Sequence, residues 1–390
     1  MTAVKLFFRT QRQFNIRQNF LTDPVFCRPW STCAASLHIS DKLYSLARPE
    51  SQAENQILKF RQFTIMSAES KKKVFVTRNI PQKALEMLSK ECEVTQWKSD
   101  DPITREALLE GVPGIDGLYC LLTDKIDEKV FDTAGETLKV VSTMSVGYDH
   151  IDLQQLRKRN IPLGYTPDVL TDATAELTIA LLLCTSRRLA EGVQEVKNGG
   201  WGTWTPLWMC GSGLSGSTVG IVGLGRIGMA VGRCLKPFGV NKFLYTARNP
   251  REEAKEIGAE YVSFDGLLGA SDFVIVCCAL TPDTMGMFNK SAFSKMKPNS
   301  ILINTSRGGV VNQDDLYIAL TSGLIKGAGL DVTTPEPLPT DHPLLTLSNC
   351  TVLPHIGSAT IETRTEMAVL AARNMLAGLK GEPMPAQVKL

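Results

Sequence analysis

The chain has 390 residues, 43% of them hydrophobic and 21% charged, with a formal net charge of +2 at pH 7. That length allows a large core and two domains, and so small a charge imbalance leaves no footprint for a nucleic-acid or membrane-surface partner. No uninterrupted apolar run is long enough to span a bilayer; the ten cysteines are scattered, with no CxxC pair and no histidine at ligand spacing, so buried reduced thiols in a cytoplasmic, reducing setting are expected and no metal site is.

Residues 1–70 read as an extension with little fixed structure. Lys5, Arg9, Arg12 and Arg17 precede the first acid, Asp23, and Phe7, Phe8, Phe14 and Phe20 are interleaved with them. A basic, acid-poor stretch without a compact apolar core fits mitochondrial targeting by residues 1–65. An isoform-specific extension ahead of an alternative start at Met66 fits equally well. Beyond it, apolar strand patterns at 73–77, 92–97, 117–122 and 138–143 alternate with helix patterns at 81–90, 103–111 and 129–134. Such alternation implies a parallel sheet with helices on both faces. The block carries no phosphate loop, and its last strand runs out at Ser145-Val146-Gly147. A long apolar helix with basic residues in its last turn follows at 174–188, then a glycine-rich loop holding Trp201, Trp204 and Trp208.

The second half opens on STVGIVGLGRIG, residues 217–228. An apolar β-branched run ends in Gly223-Leu224-Gly225-Arg226-Ile227-Gly228, and a helical pattern follows to about Lys236. Gly223 suits a tight turn, Gly225 lets a pyrophosphate approach the backbone, and Gly228 lets the helix pack closely on the strand. The free N–H groups and dipole of the helix start then face the phosphates. About twenty residues on, where an NAD site usually places an acid, the chain has Ala247-Arg248-Asn249-Pro250-Arg251. Guanidinium groups hold a 2′-phosphate that a carboxylate would repel, so Arg248 and Arg251 point to NADPH, with NADH secondary. Further strands at 273–278, 300–304, 327–331 and 351–353 place Ala279, Thr305, Arg307, Asp331 and His355 at their carboxyl ends, the ligand edge of an open α/β sheet. A helix rich in Ala and Leu closes the chain at 361–379.

Three residues on that edge suit reduction of a 2-oxo acid. Arg307 can hold a carboxylate bidentately. His355 can give a proton near neutral pH. Glu336 beside it would favour the charged imidazole. Singly, each has a bland alternative as a surface ion pair, a turn carboxylate or a satisfied loop histidine; together on one ligand edge they read as a site. His150 reads as local packing or capping, and His342 as loop surface.

GLGRIG, SRGGVVNQDDL, GLDVTTPEPLP and LPHIGSAT, in that order, resemble the D-isomer-specific 2-hydroxyacid dehydrogenases over about residues 73–390. Within that family KVFVTRNIP, STMSVGYDHID, GYTPDVLTDATAEL, VKNGGWGTWTPLWMCG and KFLYTARNPR are most similar to animal members that reduce glyoxylate and hydroxypyruvate. The resemblance implies two Rossmann-like, doubly wound α/β domains with a cleft between them. A dinucleotide-binding domain, 170–360, would be inserted into a split substrate domain, 71–169 with 361–390. It implies His355 as proton donor with Glu336 as its partner, Arg307 on the substrate, and the N–H groups of Val146 and Gly147 as a nest for the carboxylate. Asp331 and Ser358 would line that site. Gly223, Gly225, Arg226, Ile227, Gly228, Arg248, Arg251, Ala279, Thr305 and Gly357 would meet the cofactor. It also implies a homodimer in which a tryptophan, Trp204 or alternatively Trp201, reaches the partner's substrate pocket. Two alternatives remain at this point: an NAD-linked enzyme for a larger 2-oxo acid, and the dinucleotide-sensing transcriptional corepressors that share the fold.

Overall fold

The computed structural model describes residues 70–390; the basic extension and Met66 lie outside the described residues. Within them the chain builds two sheets. β1 (Lys72–Val76), β2 (Cys92–Gln96), β3 (Gly117–Cys120), β4 (Val140–Thr143) and β5 (Leu163–Gly164) form one, in the order β2-β1-β3-β4-β5. β6 (Thr218–Val222), β7 (Lys242–Thr246), β8 (Ala259–Tyr261), β9 (Phe273–Val276), β10 (Ile301–Asn304), β11 (Gly327–Leu330) and β12 (Cys350–Val352) form the other, in the order β12-β11-β10-β9-β6-β7-β8. All neighbouring strands are parallel. In each sheet the order reverses once, at β1/β3 and at β6/β9, and ligands bind outside the carboxyl ends of the strands at such a switch point.

The central strands read as continuous apolar runs because both faces are covered, whereas the edge strands β2 and β8 keep exposed residues. Along β9, Phe273 and Ile275 pack with Leu181, Leu182 and Val231 on one side of the sheet. Val274 and Val276 pack with Leu267, Phe288 and Leu316 on the other. The first sheet does the same, with Val74, Val76 and Tyr119 on one face and Phe75, Leu118 and Cys120 on the other.

The helix Ile361–Lys380 returns from the end of the chain to the first sheet. Met367, Ala368, Ala371 and Met375 enter the core of Val74 and Tyr119. Tyr119 Oη donates to the Ala368 carbonyl (3.3 Å), Ser142 Oγ to that of Ala371 (2.9 Å), and Asn374 Nδ2 to that of Tyr165 (2.9 Å). The helix Thr171–Ser186, by contrast, packs Ala175, Ile179 and Leu182 onto the second sheet. It differs from the expected 174–188. It stops before Arg187, and Arg188 turns into the left-handed region (φ 55°), after which a second helix, Leu189–Lys197, begins. A non-glycine residue in that conformation leaves no signature in the sequence, so the two helices read as one and a loop. The helix Leu153–Arg159 was also not anticipated; Asp152 caps it, accepting from Gln154 N (2.9 Å) and Gln155 N (3.2 Å). No helix among the described residues is long and apolar enough to cross a membrane.

Candidate active site

β6 feeds the helix Arg226–Leu235 through the glycine turn. Gly223 has φ 93°, and a Cβ there would lie 2.6 Å from Cys278 N, just past β9, so only glycine lets the switch-point strands come this close. A Cβ on Gly228 would run into the Gly223 carbonyl and come within 3.2 Å of Ile221 Cγ2. Gly225 is the N-cap, with no side-chain cap, and a Cβ there would meet nothing within 4 Å. The first N–H groups of the helix, at Arg226 and Ile227, therefore open on clear space, a donor set that fits a dinucleotide's pyrophosphate. The Arg226 side chain points elsewhere: its Nε lies 2.5 Å from Asp168 Oδ1, in the segment joining the two sheets.

Arg248 and Arg251 follow β7 on the exposed rim. Neither guanidinium has a hydrogen bond or ion pair among the described residues. The Arg251 N–H donates to Tyr245 Oη (2.8 Å), which fixes the turn that presents both. Ala279 follows β9, its carbonyl accepting from Thr284 Oγ1 (2.7 Å). Thr305 follows β10, buried, its hydroxyl 2.8 Å from that of Thr178.

His355 follows β12 in the left-handed region (φ 53°). Its Nδ1 lies 2.8 Å from Glu336 Oε2, while Glu336 Oε1 accepts from Thr333 N (3.0 Å). Burial pushes the Glu336 carboxyl up. The His355 hydrogen bond and charge, the Thr333 N–H and the Arg307 charge outweigh it, holding the group below its ordinary range. Asp331, expected to line the site, is only 1% exposed. Its oxygens accept from Ile356 N (2.8 Å) and Gly357 N (2.8 Å), and its carbonyl from His355 N (2.8 Å). It shapes the turn that presents His355 and offers no free group to the cleft. Burial, the largest influence, raises its pKa. Gly357 is buried in that turn, where a Cβ would lie 3.1 Å from Asp331 Oδ2; Ser358 follows it, half-buried.

Arg307 follows β10, its backbone pinned by Asn304 Nδ2 donating to its carbonyl (2.9 Å). Its side chain crosses to the first sheet, where Nε donates to Asp149 Oδ1 (3.1 Å). There it lies on the Val146–Gly147 turn: a Cβ on Gly147 would fall on Arg307 Nη2. Ser145 Oγ donates to the Gly147 carbonyl (2.7 Å), Thr143 Oγ1 lies 2.8 Å from Ser145 Oγ, and His150 Nε2 lies 3.1 Å from Thr143 Oγ1. His150 thus packs beneath the turn, as expected. His342, expected on the loop surface, is a half-buried cap, its Nδ1 accepting from Leu344 N (3.2 Å). Sequence reasoning missed Asp149 and Asp168. Asp149 stands two residues past Gly147, an acid beside a suspected anion nest, which was the available signal. Trp201, Trp204 and Trp208 are 64%, 78% and 41% exposed within one chain.

The arrangement joins an uncapped helix start whose N–H groups fit a phosphate, a paired imidazole and carboxylate, and a guanidinium over a backbone turn. Residues 179–357 match the model of the D-isomer specific 2-hydroxyacid dehydrogenase NAD binding domain. The chain is 62% identical over 321 residues to the human glyoxylate reductase/hydroxypyruvate reductase, covering 82% of this chain and 98% of that one. It is 46% identical over 320 residues to a glyoxylate reductase of Thermococcus litoralis, covering 81% of this chain and 96% of the other. Among solved structures, a Thermus thermophilus protein superposes with a TM-score of 0.76 at 42% identity, over 81% of this chain and 100% of that one. The NADPH-dependent glyoxylate/hydroxypyruvate reductase of Sinorhizobium meliloti, in complex with NADP and malonate, does so with a TM-score of 0.71 at 33% identity, over 82% and 97%. The phosphate loop, the His355–Glu336 pair and this likeness along nearly the whole length of its relatives place the chain in the D-isomer-specific 2-hydroxyacid dehydrogenase family, as an oxidoreductase using a nicotinamide dinucleotide.

Proposed function

We propose that the protein is an NADPH-preferring reductase that converts glyoxylate to glycolate and hydroxypyruvate to D-glycerate. The observation that carries this is the His355–Glu336 pair at 2.8 Å on the same edge as Arg307, which lies over the Val146–Gly147 turn. The names of the most similar relatives support the substrates.

The dinucleotide supplies a hydride when bound. Arg307 and the N–H groups of Val146 and Gly147 hold the substrate carboxylate, fixing the oxo carbon in the cleft. Glu336 on Nδ1 orients the imidazole and leaves Nε2 to donate the proton to the oxo oxygen. Gly225, Arg226 and Ile227 would hold the dinucleotide's pyrophosphate on their backbone, Ala279, Thr305 and Gly357 would meet the cofactor, and Arg248 with Arg251 would hold a 2′-phosphate. Residues 71–169 with 361–390 act as the substrate domain and 170–360 as the cofactor domain, and their closure excludes water. The protein works as a cytoplasmic homodimer in which Trp204 walls the partner's pocket.

Arg248 gives the test of cofactor choice. Charge-assisted bonds of about 1.5–3 kcal/mol correspond to about ten- to a hundredfold in affinity. Arg248→Ala should weaken NADPH by that factor and leave NADH nearly unchanged. Equal losses for both nicotinamides would contradict the assignment. Initial rates with glyoxylate, hydroxypyruvate and a bulky 2-oxo acid complete it. Faster reduction of the bulky acid with NADH would favour the NAD-linked alternative.

A further inference from the structure

The Arg307 guanidinium is held from the opposite side of the cleft. Arg307 follows β10 in the seven-stranded sheet, and Asp149 follows β4 in the five-stranded one. The ion pair between them, 3.1 Å from Nε to Oδ1, spans 158 residues of chain. Nη1 donates to the Ser306 carbonyl (2.9 Å), so one side of the guanidinium is tied to its own loop and Nε to the facing one. Nη2, against Gly147, has no acceptor among the described residues. A planar group with Nε and Nη1 engaged has little freedom to turn, and the donors left over are those facing the carboxylate nest.

We propose that Asp149 is a positioning residue for substrate recognition: it fixes the Arg307 fork against the Val146–Gly147 nest, and because it stands on the other side of the cleft it aligns that fork only when the cleft is closed. The surroundings of Asp149 leave its carboxylate to this task. Its neighbour His150 turns inward to Thr143 Oγ1 (3.1 Å), and burial keeps its imidazole neutral at neutral pH, so it does not compete with Arg307 for the carboxylate. Ser145 clamps the Gly147 carbonyl from below (2.7 Å), so Asp149 and the nest move as one piece.

The inference rests on Arg307 binding the substrate carboxylate, and it makes a prediction opposite in sign to plain electrostatics. Asp149 is a negative charge near a bound anion, so by charge alone its removal would tighten anion binding. By positioning, removal of its oxygen acceptor weakens binding, whereas Asp149→Asn keeps an acceptor for Nε and loses only the charge.

The probe is oxalate, a non-reacting dicarboxylate, titrated into the NADP-saturated protein with tryptophan fluorescence as readout. Arg307→Ala should weaken oxalate by about a hundredfold. Asp149→Ala should weaken it by about tenfold, Asp149→Asn should bind no more weakly than wild type, and the double variant should match Arg307→Ala alone. NADPH affinity and thermal midpoint should be unchanged in both Asp149 variants, and the KM for glyoxylate should rise in Asp149→Ala. Oxalate bound by Asp149→Ala as tightly as by wild type, with Arg307→Ala still impaired, would overturn the positioning role alone. Wild-type affinity in Arg307→Ala would overturn the reading of Arg307 on which it rests.

Discussion

His150 takes no part in the chemistry, yet it gives the fold a pH dependence. Its pKa is pushed down to about 4 from an ordinary 6.5, by burial first, with Asp149 opposing and Arg307 adding to it. A histidine with a depressed folded pKa is protonated first in the unfolded chain. Its contribution to stability is therefore complete above about pH 6.5 and falls as pH drops toward 4. From pH 7 to pH 5 wild type should lose about 1–2 kcal/mol more than His150→Asn. Urea midpoints at the two pH values measure this, and parallel losses in both proteins would contradict it. At this scale legibility divided by reach. Arg248 could be singled out because the strand and turn that mark its position lie beside it in the sequence, and it stands exposed after β7. The pairing of Asp149 with Arg307 could not be read, because the two are 158 residues apart and only the sheet topology brings them together. Asp331 was assigned to the site and not to its support for a related reason: its carboxylate is taken by N–H groups 25 and 26 residues on.

Among the elements, the turn from β6 into the helix Arg226–Leu235 separates folding from binding within six residues. Gly223 is required by its φ of 93° and by Cys278 N at 2.6 Å from a would-be Cβ, whereas Gly225 has space around it and an ordinary φ of −86°. Gly223→Ala should lower stability by about 1–3 kcal/mol and lose dinucleotide binding with it. Gly225→Ala should keep the wild-type thermal midpoint and weaken NADPH, because the added methyl occupies the phosphate's approach. Melting curves and a dinucleotide titration on the two variants check this, and matching behaviour would contradict it. Most strands of both sheets were legible because burial makes them apolar runs; β5, only two residues long, and β8, whose Glu260 and Tyr261 are exposed, were not. The helix Leu189–Lys197 was not, because the break before it falls at an arginine in the left-handed region, where no glycine or proline marks it.

For the whole molecule, one chain leaves a wide apolar band uncovered. Leu189, Val193 and Val196 on one helix are 50–57% exposed, and Trp204 and Leu207 on the following loop are 78% and 86% exposed. So many large exposed side chains on one stretch are what an interface would use, in keeping with the proposed homodimer. The mass in solution should be that of a dimer at micromolar concentration, and Trp204→Ala should change the ratio of efficiencies for small and bulky 2-oxo acids. A monomer would contradict the assembly, and an unchanged ratio would remove the pocket-wall role. The return of the helix Ile361–Lys380 to the first sheet was legible only through the family resemblance, since nothing local to it says which sheet it covers.

Reduction of glyoxylate and hydroxypyruvate with His355 as proton donor is most directly tested by following loss of NADPH absorbance with each acid, for wild type and His355→Ala, beside an NADPH titration of both. Wild type should oxidise NADPH with both acids. His355→Ala should bind NADPH as wild type does and lose kcat by about 10²–10⁴. Wild-type turnover in His355→Ala, or no oxidation of NADPH by wild type with either acid, would contradict the account.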